Sequence, residues 1–265
     1  MESASHRLQV PQDAATAVRE HLRNHRMRRS LFKPEEINTI IASLRATDWI
    51  SENVLAKGFE GTQGFSLQFT RAGISKVRQR LPTLNPFIDL IETSRGLDAL
   101  LLPLSRWLKK PDLPQPNAFY LNVLEVPITD CVTPHVDGTL SLKHDFPWSP
   151  PVYNTVLYLR VSPNSGCFAL RLPHKEPIYF QEQAGDILYF RGDQVHSIDK
   201  LCEDYIDPND QSTRLSLVCE HYYFSEEQLA KIPLMKLESK DAFKRVLEKK
   251  RKPPGHLTGV LNESQ

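Results

Sequence analysis

The sequence has no C-x-x-C pair: its four cysteines, Cys131, Cys167, Cys202 and Cys219, are widely spaced. That spacing excludes the usual zinc and dithiol motifs and fits free thiols in a reducing compartment. Long apolar runs are missing too. The longest, near Leu100 to Leu104, is bounded by Asp98 and Arg106 and is too short to span a bilayer. Met1 to Pro11 lacks the apolar core of a secretory signal, and the Arg-rich stretch behind it carries Asp13 and Glu20, which a transit peptide disfavours. A cytoplasmic location, away from membranes, is the expectation. Neither sign of charge dominates: 33 Lys and Arg oppose 32 Asp and Glu, so no global field draws the chain to nucleic acid or membrane. The basic stretches His21 to Arg29 and Lys244 to Lys252 read as solvated faces. No aromatic residues interleave with the first, and no nucleic-acid motif accompanies either.

What is present is an ordinary globular composition, with 40% hydrophobic and 25% charged residues over 265 positions, enough for a buried core. Asp13 to Met27 and Pro34 to Ala46 read as helices. The second has Pro34 in its first turn, then Glu35 and Glu36, with Ile37, Ile40, Ile41 and Leu44 at helical spacing. From Pro86 to Lys109, Ile88, Ile91, Leu97, Leu100, Leu101, Leu104 and Leu108 share a face, with a break expected at Gly96. Such helices need a flat partner. From Ala118 the texture changes to short runs rich in Val, Tyr, Phe, Thr and Leu between Pro, Gly, Asn and Asp clusters. The predicted strands are Ala118 to Val126, Tyr153 to Val161, Cys167 to Leu172, Ile178 to Gln181, Asp186 to Arg191 and Thr213 to Phe224, a spacing that favours a sandwich, jelly roll or barrel. Helix returns at Ser225, Glu226 and Glu227. The expectation is one α+β domain in three parts: an N-terminal helical extension over 1–110 packing on the barrel, a β core over 111–224, and a C-terminal helix with a basic tail over 225–265.

The most informative segment is Pro134-His135-Val136-Asp137-Gly138, followed by Val195-His196-Ser197 and Thr213-Arg214-Leu215-Ser216. Residues two apart in an extended segment project to one side, so His135 and Asp137 can reach one ion while His196 arrives from another strand. Two imidazoles and one carboxylate on one side of a metal leave positions open for co-substrate and dioxygen, the arrangement of non-haem Fe(II) oxygenases. An H-x-D tripeptide alone says little. His174-Lys175-Glu176 has the same spacing, but it lies between Pro173 and Pro177 in what reads as a surface turn.

At these residues the sequence resembles the Fe(II)/2-oxoglutarate-dependent dioxygenase superfamily, and more closely its prolyl-hydroxylase-like branch, over about Asn117 to Phe224. His135-Val136-Asp137 is similar to the family's H-x-D, and Thr155 to Leu159 resembles the strand after it. Gly166 to Leu170 stands where the family has Gly-Gly-x-Leu, with Ser165 in place of the first glycine. Ala184 to Phe190 resembles the strand leading to the distal histidine, here His196. The resemblance implies a double-stranded β-helix with iron at its mouth, held by His135, Asp137 and His196, and a basic residue, Arg214, pairing the far carboxylate of 2-oxoglutarate. Ser216, Tyr120, Asn122 and Tyr158 also match positions that serve the co-substrate. Dioxygen is implied as the second co-substrate and ascorbate as a candidate reductant. Related halogenases have Gly or Ala in place of the carboxylate, so Asp137 argues for hydroxylation of a protein side chain, an amino acid or a small metabolite. The family places its basic residue sooner after the distal histidine. Here Arg214 follows by eighteen positions, across an acidic insertion, Asp199 to Ser212, that reads as an exposed loop.

Two rival readings remain at this stage. One is a catalytically silent jelly-roll scaffold; the other is a cupin-like metal enzyme that does not use 2-oxoglutarate. Arg214 also reads as a partner of Glu220 alone, on its own strand, and Trp148, in the long loop after the metal dyad, reads equally as a substrate cover or as a pin for that loop.

Overall fold

The structure is a computed structural model that describes residues 14–46, 63–102, 114–127, 131–162, 165–199 and 213–238. In chain order, α1 (Ala14–Glu20) leads to β1 (His25–Arg28) and α2 (Pro34–Ala46). Then β2 (Gln63–Thr70) precedes α3 (Ile74–Arg80), α4 (Asn85–Glu92) and α5 (Arg95–Leu100). Next come β3 (Ala118–Pro127), β4 (Val132–His135), α6 (Thr139–Lys143), β5 (Tyr153–Arg160), β6 (Cys167–Arg171) and β7 (Ile178–Phe180). They are followed by β8 (Ile187–Arg191), β9 (Val195–Asp199), β10 (Thr213–Tyr222), α7 (Glu226–Leu229) and β11 (Met235–Glu238).

Two antiparallel sheets result, a large one in the order β1-β8-β5-β10-β3-β2-β11 and a small one in the order β4-β9-β6-β7. From β3 to β10 the chain alternates between them: β3, β5, β8 and β10 lie in the large sheet and β4, β6, β7 and β9 in the small one. This is the connectivity of a double-stranded β-helix, a jelly roll of eight strands, flanked here by helices. The alternation of side chains explains the layers. Phe119, Leu121, Val123, Leu157, Leu215 and Leu217 point to the outer face of the large sheet, where they meet the apolar stripes of α2 and α4. Their alternates, among them Val156, Tyr158, Leu188 and Phe190, point between the sheets toward Phe168, Leu170 and Phe180. The helices therefore cover one face, and the space between the sheets is left for a site.

The predicted strands from Ala118 onward are all present within a residue or two, and α2 has the predicted limits. Other expectations change. The helix expected to reach Met27 ends at Glu20, because His25–Arg28 pairs with the open edge of β8, with Met27 opposite Leu188. Gln63–Thr70 is a strand that pairs β3 along its length, so the first part of the chain is not purely helical. The break expected at Gly96 falls at Ser94, whose φ is 51°, and Gly96 is inside α5. A Cβ at 96 would sit 2.5 Å from the Tyr153 ring and 2.9 Å from that of Tyr189, so glycine lets the helix approach the sheet. Ser225 caps α7 through a reciprocal box with Gln228, but the helix lasts four residues before β11 pairs with β2. Leu104, Leu108, the segment 200–212 and the basic run 249–252 lie outside the described residues. Among the described residues no helix is long and apolar enough to cross a membrane, and Cys131, Cys167 and Cys219 are free.

Candidate metal centre

β4 ends at His135, which lies directly opposite His196 in the register with β9, beyond an irregularity that starts at Val132. Pairing across that ladder brings the two imidazole centroids to 4.3 Å. Asp137, two residues on, completes the cluster. Its Oδ1 lies 3.4 Å from His135 Nε2, and its Oδ2 lies 3.3 Å from His196 Nε2. One ligand atom from each of the three residues falls within 4.8 Å of the others, the only such group of three among the described residues. Adjacent ligands of an ion about 2.1 Å from each would stand roughly 3 Å apart, so this spacing fits a divalent cation.

The tautomers fit as well. His135 Nδ1 lies 2.8 Å from the Thr133 carbonyl and His196 Nδ1 lies 3.2 Å from the Gln194 carbonyl. A carbonyl only accepts, so both Nδ1 atoms carry the proton and both Nε2 atoms turn their lone pairs to the shared space. Asp137 is fixed from behind by Asn154, a fully buried residue of β5 whose Nδ2 donates to Asp137 Oδ2 at 2.9 Å. Glu220 of β10 then anchors the chain just past the ligand. It accepts from Thr139 N at 3.1 Å and from Thr139 Oγ1 at 2.6 Å, and also from the Tyr222 hydroxyl. The Trp148 indole rests over Gly138, where a Cβ would come within 2.7 Å of its Nε1, and is 42% exposed. Asn154→Ala should therefore weaken divalent-metal affinity by about tenfold to a hundredfold, as is usual for an outer-shell partner. A metal titration reads this out, with the melting curve controlling for fold.

The centre opens onto a cavity between the sheets. Its apolar wall includes Val156, Phe168, Phe190 and Val218. Asn122, Tyr158, Arg214 and Ser216 line the same cavity. Arg214 and Ser216 share the inward face of β10 with Glu220. Arg214 stands six residues from Glu220, about 20 Å by strand rise, at the opposite end of that face from the anchor of the ligand loop. Its guanidinium is 2% exposed and lies 4.8 Å over the Tyr158 ring. Nη1 donates to the Gly166 carbonyl at 2.8 Å and Nη2 to Glu182 Oε1 at 2.6 Å. The partner of Arg214 is thus Glu182 rather than Glu220. The Tyr158 hydroxyl is buried close to Arg214 and Glu182, and burial, followed by the nearby Glu182 carboxylate, raises its pKa.

Tyr120 is the exception among the residues matched to the co-substrate. It shares the inward face of β3 with Asn122, but it sits level with Glu220 and packs with Leu140, Tyr222 and Phe224 away from the cavity. His174 lies in the exposed turn between β6 and β7 with φ 57°, beside an exposed Glu176, and takes no part in the cluster. Asn154, Glu182 and Glu220 escaped the sequence reading. For Asn154 the available signal was a polar residue at an inward position of an otherwise apolar strand.

Fold and site together define a double-stranded β-helix with a two-histidine, one-carboxylate cation site facing a cavity that holds a buried arginine. No protein-family model matches the sequence, and a search of curated proteins finds no match. Among solved structures, the chain shares its fold with a prolyl-4-hydroxylase from Pseudomonas putida, at TM-score 0.53 and 15% identity, covering 80% of this chain and 100% of that one. Weaker likenesses include a 2OG-Fe(II) oxygenase family oxidoreductase from Burkholderia pseudomallei, at TM-score 0.46, 15% identity and 79% and 88% coverage. A Trichoplax adhaerens prolyl hydroxylase in complex with a hypoxia inducible factor oxygen degradation domain peptide fragment gives 0.48, 10%, 82% and 90%. At these identities the likeness is one of fold.

Proposed function

We propose that the protein is an Fe(II)- and 2-oxoglutarate-dependent oxygenase that hydroxylates a peptide side chain, an amino acid or a small metabolite. The observation that carries this reading is the convergence of His135 Nε2, Asp137 and His196 Nε2 at a cavity that also holds Arg214. His135, Asp137 and His196 would hold the iron, a donor set of two neutral imidazoles and one carboxylate that suits a divalent ion and leaves the remaining positions to ligands. Arg214 would take the far carboxylate of 2-oxoglutarate, with the buried Tyr158 hydroxyl close by and Ser216 and Asn122 lining the path. Bound iron and 2-oxoglutarate would supply the oxidising chemistry, in which dioxygen is consumed, CO2 and succinate are released and the substrate gains oxygen.

The chain's own contribution is position and dryness. Asn154 holds Asp137 to one orientation, Glu220 fixes the start of α6, and the carbonyls of Thr133 and Gln194 hold both imidazoles as Nε2 ligands. Phe168, Phe190, Val156 and Val218 keep water away from the reacting groups. The test is simultaneous measurement of dioxygen uptake and succinate in iron-loaded protein given 2-oxoglutarate and a cell extract, with mass spectrometry for substrates gaining one oxygen. Coupled uptake and succinate are expected. Dioxygen uptake without succinate would identify a metal enzyme of cupin type, and neither would identify a silent barrel.

A further inference from the structure

Arg214 already holds a carboxylate. The Glu182 side chain, 4% exposed, reaches from the turn between β7 and β8 and accepts from Arg214 Nη2 at 2.6 Å. The same Oε1 accepts from Phe168 N at 3.2 Å. The two groups placed to receive an organic acid, the guanidinium and the buried Tyr158 hydroxyl near it, therefore lie beside a resident anion. Glu182 sits next to solvent: its neighbours Gln181, Gln183 and Ala184 are exposed, although its own side chain is buried. Two carboxylates at one buried guanidinium repel each other, and an incoming dianion must either displace Glu182 or share Arg214 with it.

We propose that Glu182 is an internal competitor for the carboxylate end of the co-substrate: it occupies Arg214 in the empty pocket and sets how weakly the pocket takes 2-oxoglutarate. This rests on the oxygenase reading for the identity of the co-substrate, but not for the competition itself, which any small dicarboxylate would meet. Glu182→Gln is the direct probe. The amide keeps the shape and still offers Arg214 an acceptor oxygen, while the negative charge is gone. Should that variant fold poorly, Glu182→Asp keeps the charge on a shorter arm and gives the same comparison with a smaller change.

Two ligands are titrated into parent and variant: glutarate into metal-free protein, by calorimetry, and 2-oxoglutarate into Fe(II)-loaded protein without dioxygen, by its metal-to-ligand absorption. Both are expected to bind about threefold to tenfold more tightly to Glu182→Gln, the gain expected when a buried cation loses its resident partner. The gain should vanish when Arg214 is also replaced by Ala. Tighter glutarate with no 2-oxoglutarate absorption at the iron would uphold the competitor and remove the co-substrate assignment. Equal or weaker binding of both ligands would overturn the proposal and make Glu182 a residue that orients the guanidinium. Undetectable binding of both ligands in both proteins would overturn it as well, since Arg214 would then not be a carboxylate site.

Discussion

Replacement of His135, Asp137 or His196 by Ala is expected to abolish 2-oxoglutarate turnover and to weaken Fe(II) binding by more than a hundredfold, beyond the loss typical of an outer-shell partner. Among the described residues each supplies one of the three donor atoms of the cluster, and those atoms stand as close as 3.3 and 3.4 Å. The fold should survive, because the two sheets are held by ladders and apolar layers to which, of the three, His196 adds ring contacts with Phe168 and Phe190. Circular dichroism and Fe(II) titration measure the two effects separately. His174→Ala is the control and should bind iron like the parent, since that imidazole lies in an exposed turn. Full turnover in any of the three Ala variants would remove the metal assignment.

Arg214→Ala is expected to weaken 2-oxoglutarate binding by roughly tenfold to a hundredfold while leaving iron affinity near the parent value. A hydrogen bond to a charged group contributes about 1.5 to 3 kcal/mol, and about 1.4 kcal/mol corresponds to one decade of affinity. The substitution also leaves the buried Glu182 carboxylate without its cation, which costs about 3 to 5 kcal/mol of stability when one partner of a buried pair is removed. Arg214→Ala should therefore melt well below the parent, and adding Glu182→Gln should restore part of that loss. Lys at 214 should recover some affinity but not all, because an ammonium brings charge without the planar fork that engages Gly166 and Glu182 together. Unchanged 2-oxoglutarate affinity in the Ala variant would place the co-substrate elsewhere.

The cluster of His135, Asp137 and His196 was legible because its signal is local and ordered: an H-x-D at a strand end, then a histidine on a later strand, then Arg-x-Ser. Six of the strands from Ala118 onward were legible from their runs of Val, Tyr, Phe, Thr and Leu between turn residues, whereas β4, β9 and β11 escaped the sequence reading. Elements that take their structure from a partner were not. His25-Arg26-Met27-Arg28 has no strand pattern of its own and is extended only because β8 offers an open edge. Glu182 sits in Gln-Glu-Gln-Ala-Gly, a surface turn by every local rule, and only the long-range approach of Arg214 turns its side chain inward. Tyr120 shows the converse error. Its face was right, but how far along β3 the cavity extends is set by α6 and β10 rather than by anything in the strand itself.

The position of β1 also bears on solubility. Among the described residues, β1 and β11 are the outermost strands of the large sheet, each four residues long, and they place Arg26, Arg28 and Lys236 on the exposed side. Without β1, the edge would be β8, Ile187-Leu188-Tyr189-Phe190-Arg191, an apolar run whose backbone donors and acceptors on the side away from β5 would be unpaired. The clasp that keeps β1 in place is Asp186, fully buried, which accepts from Arg29 Nη1 at 2.6 Å and from Ser30 N at 2.9 Å. A side chain one residue before the strand it protects thus guards the barrel against edge-to-edge aggregation, and shortened versions of the protein that begin after Ser30 would expose a template for it.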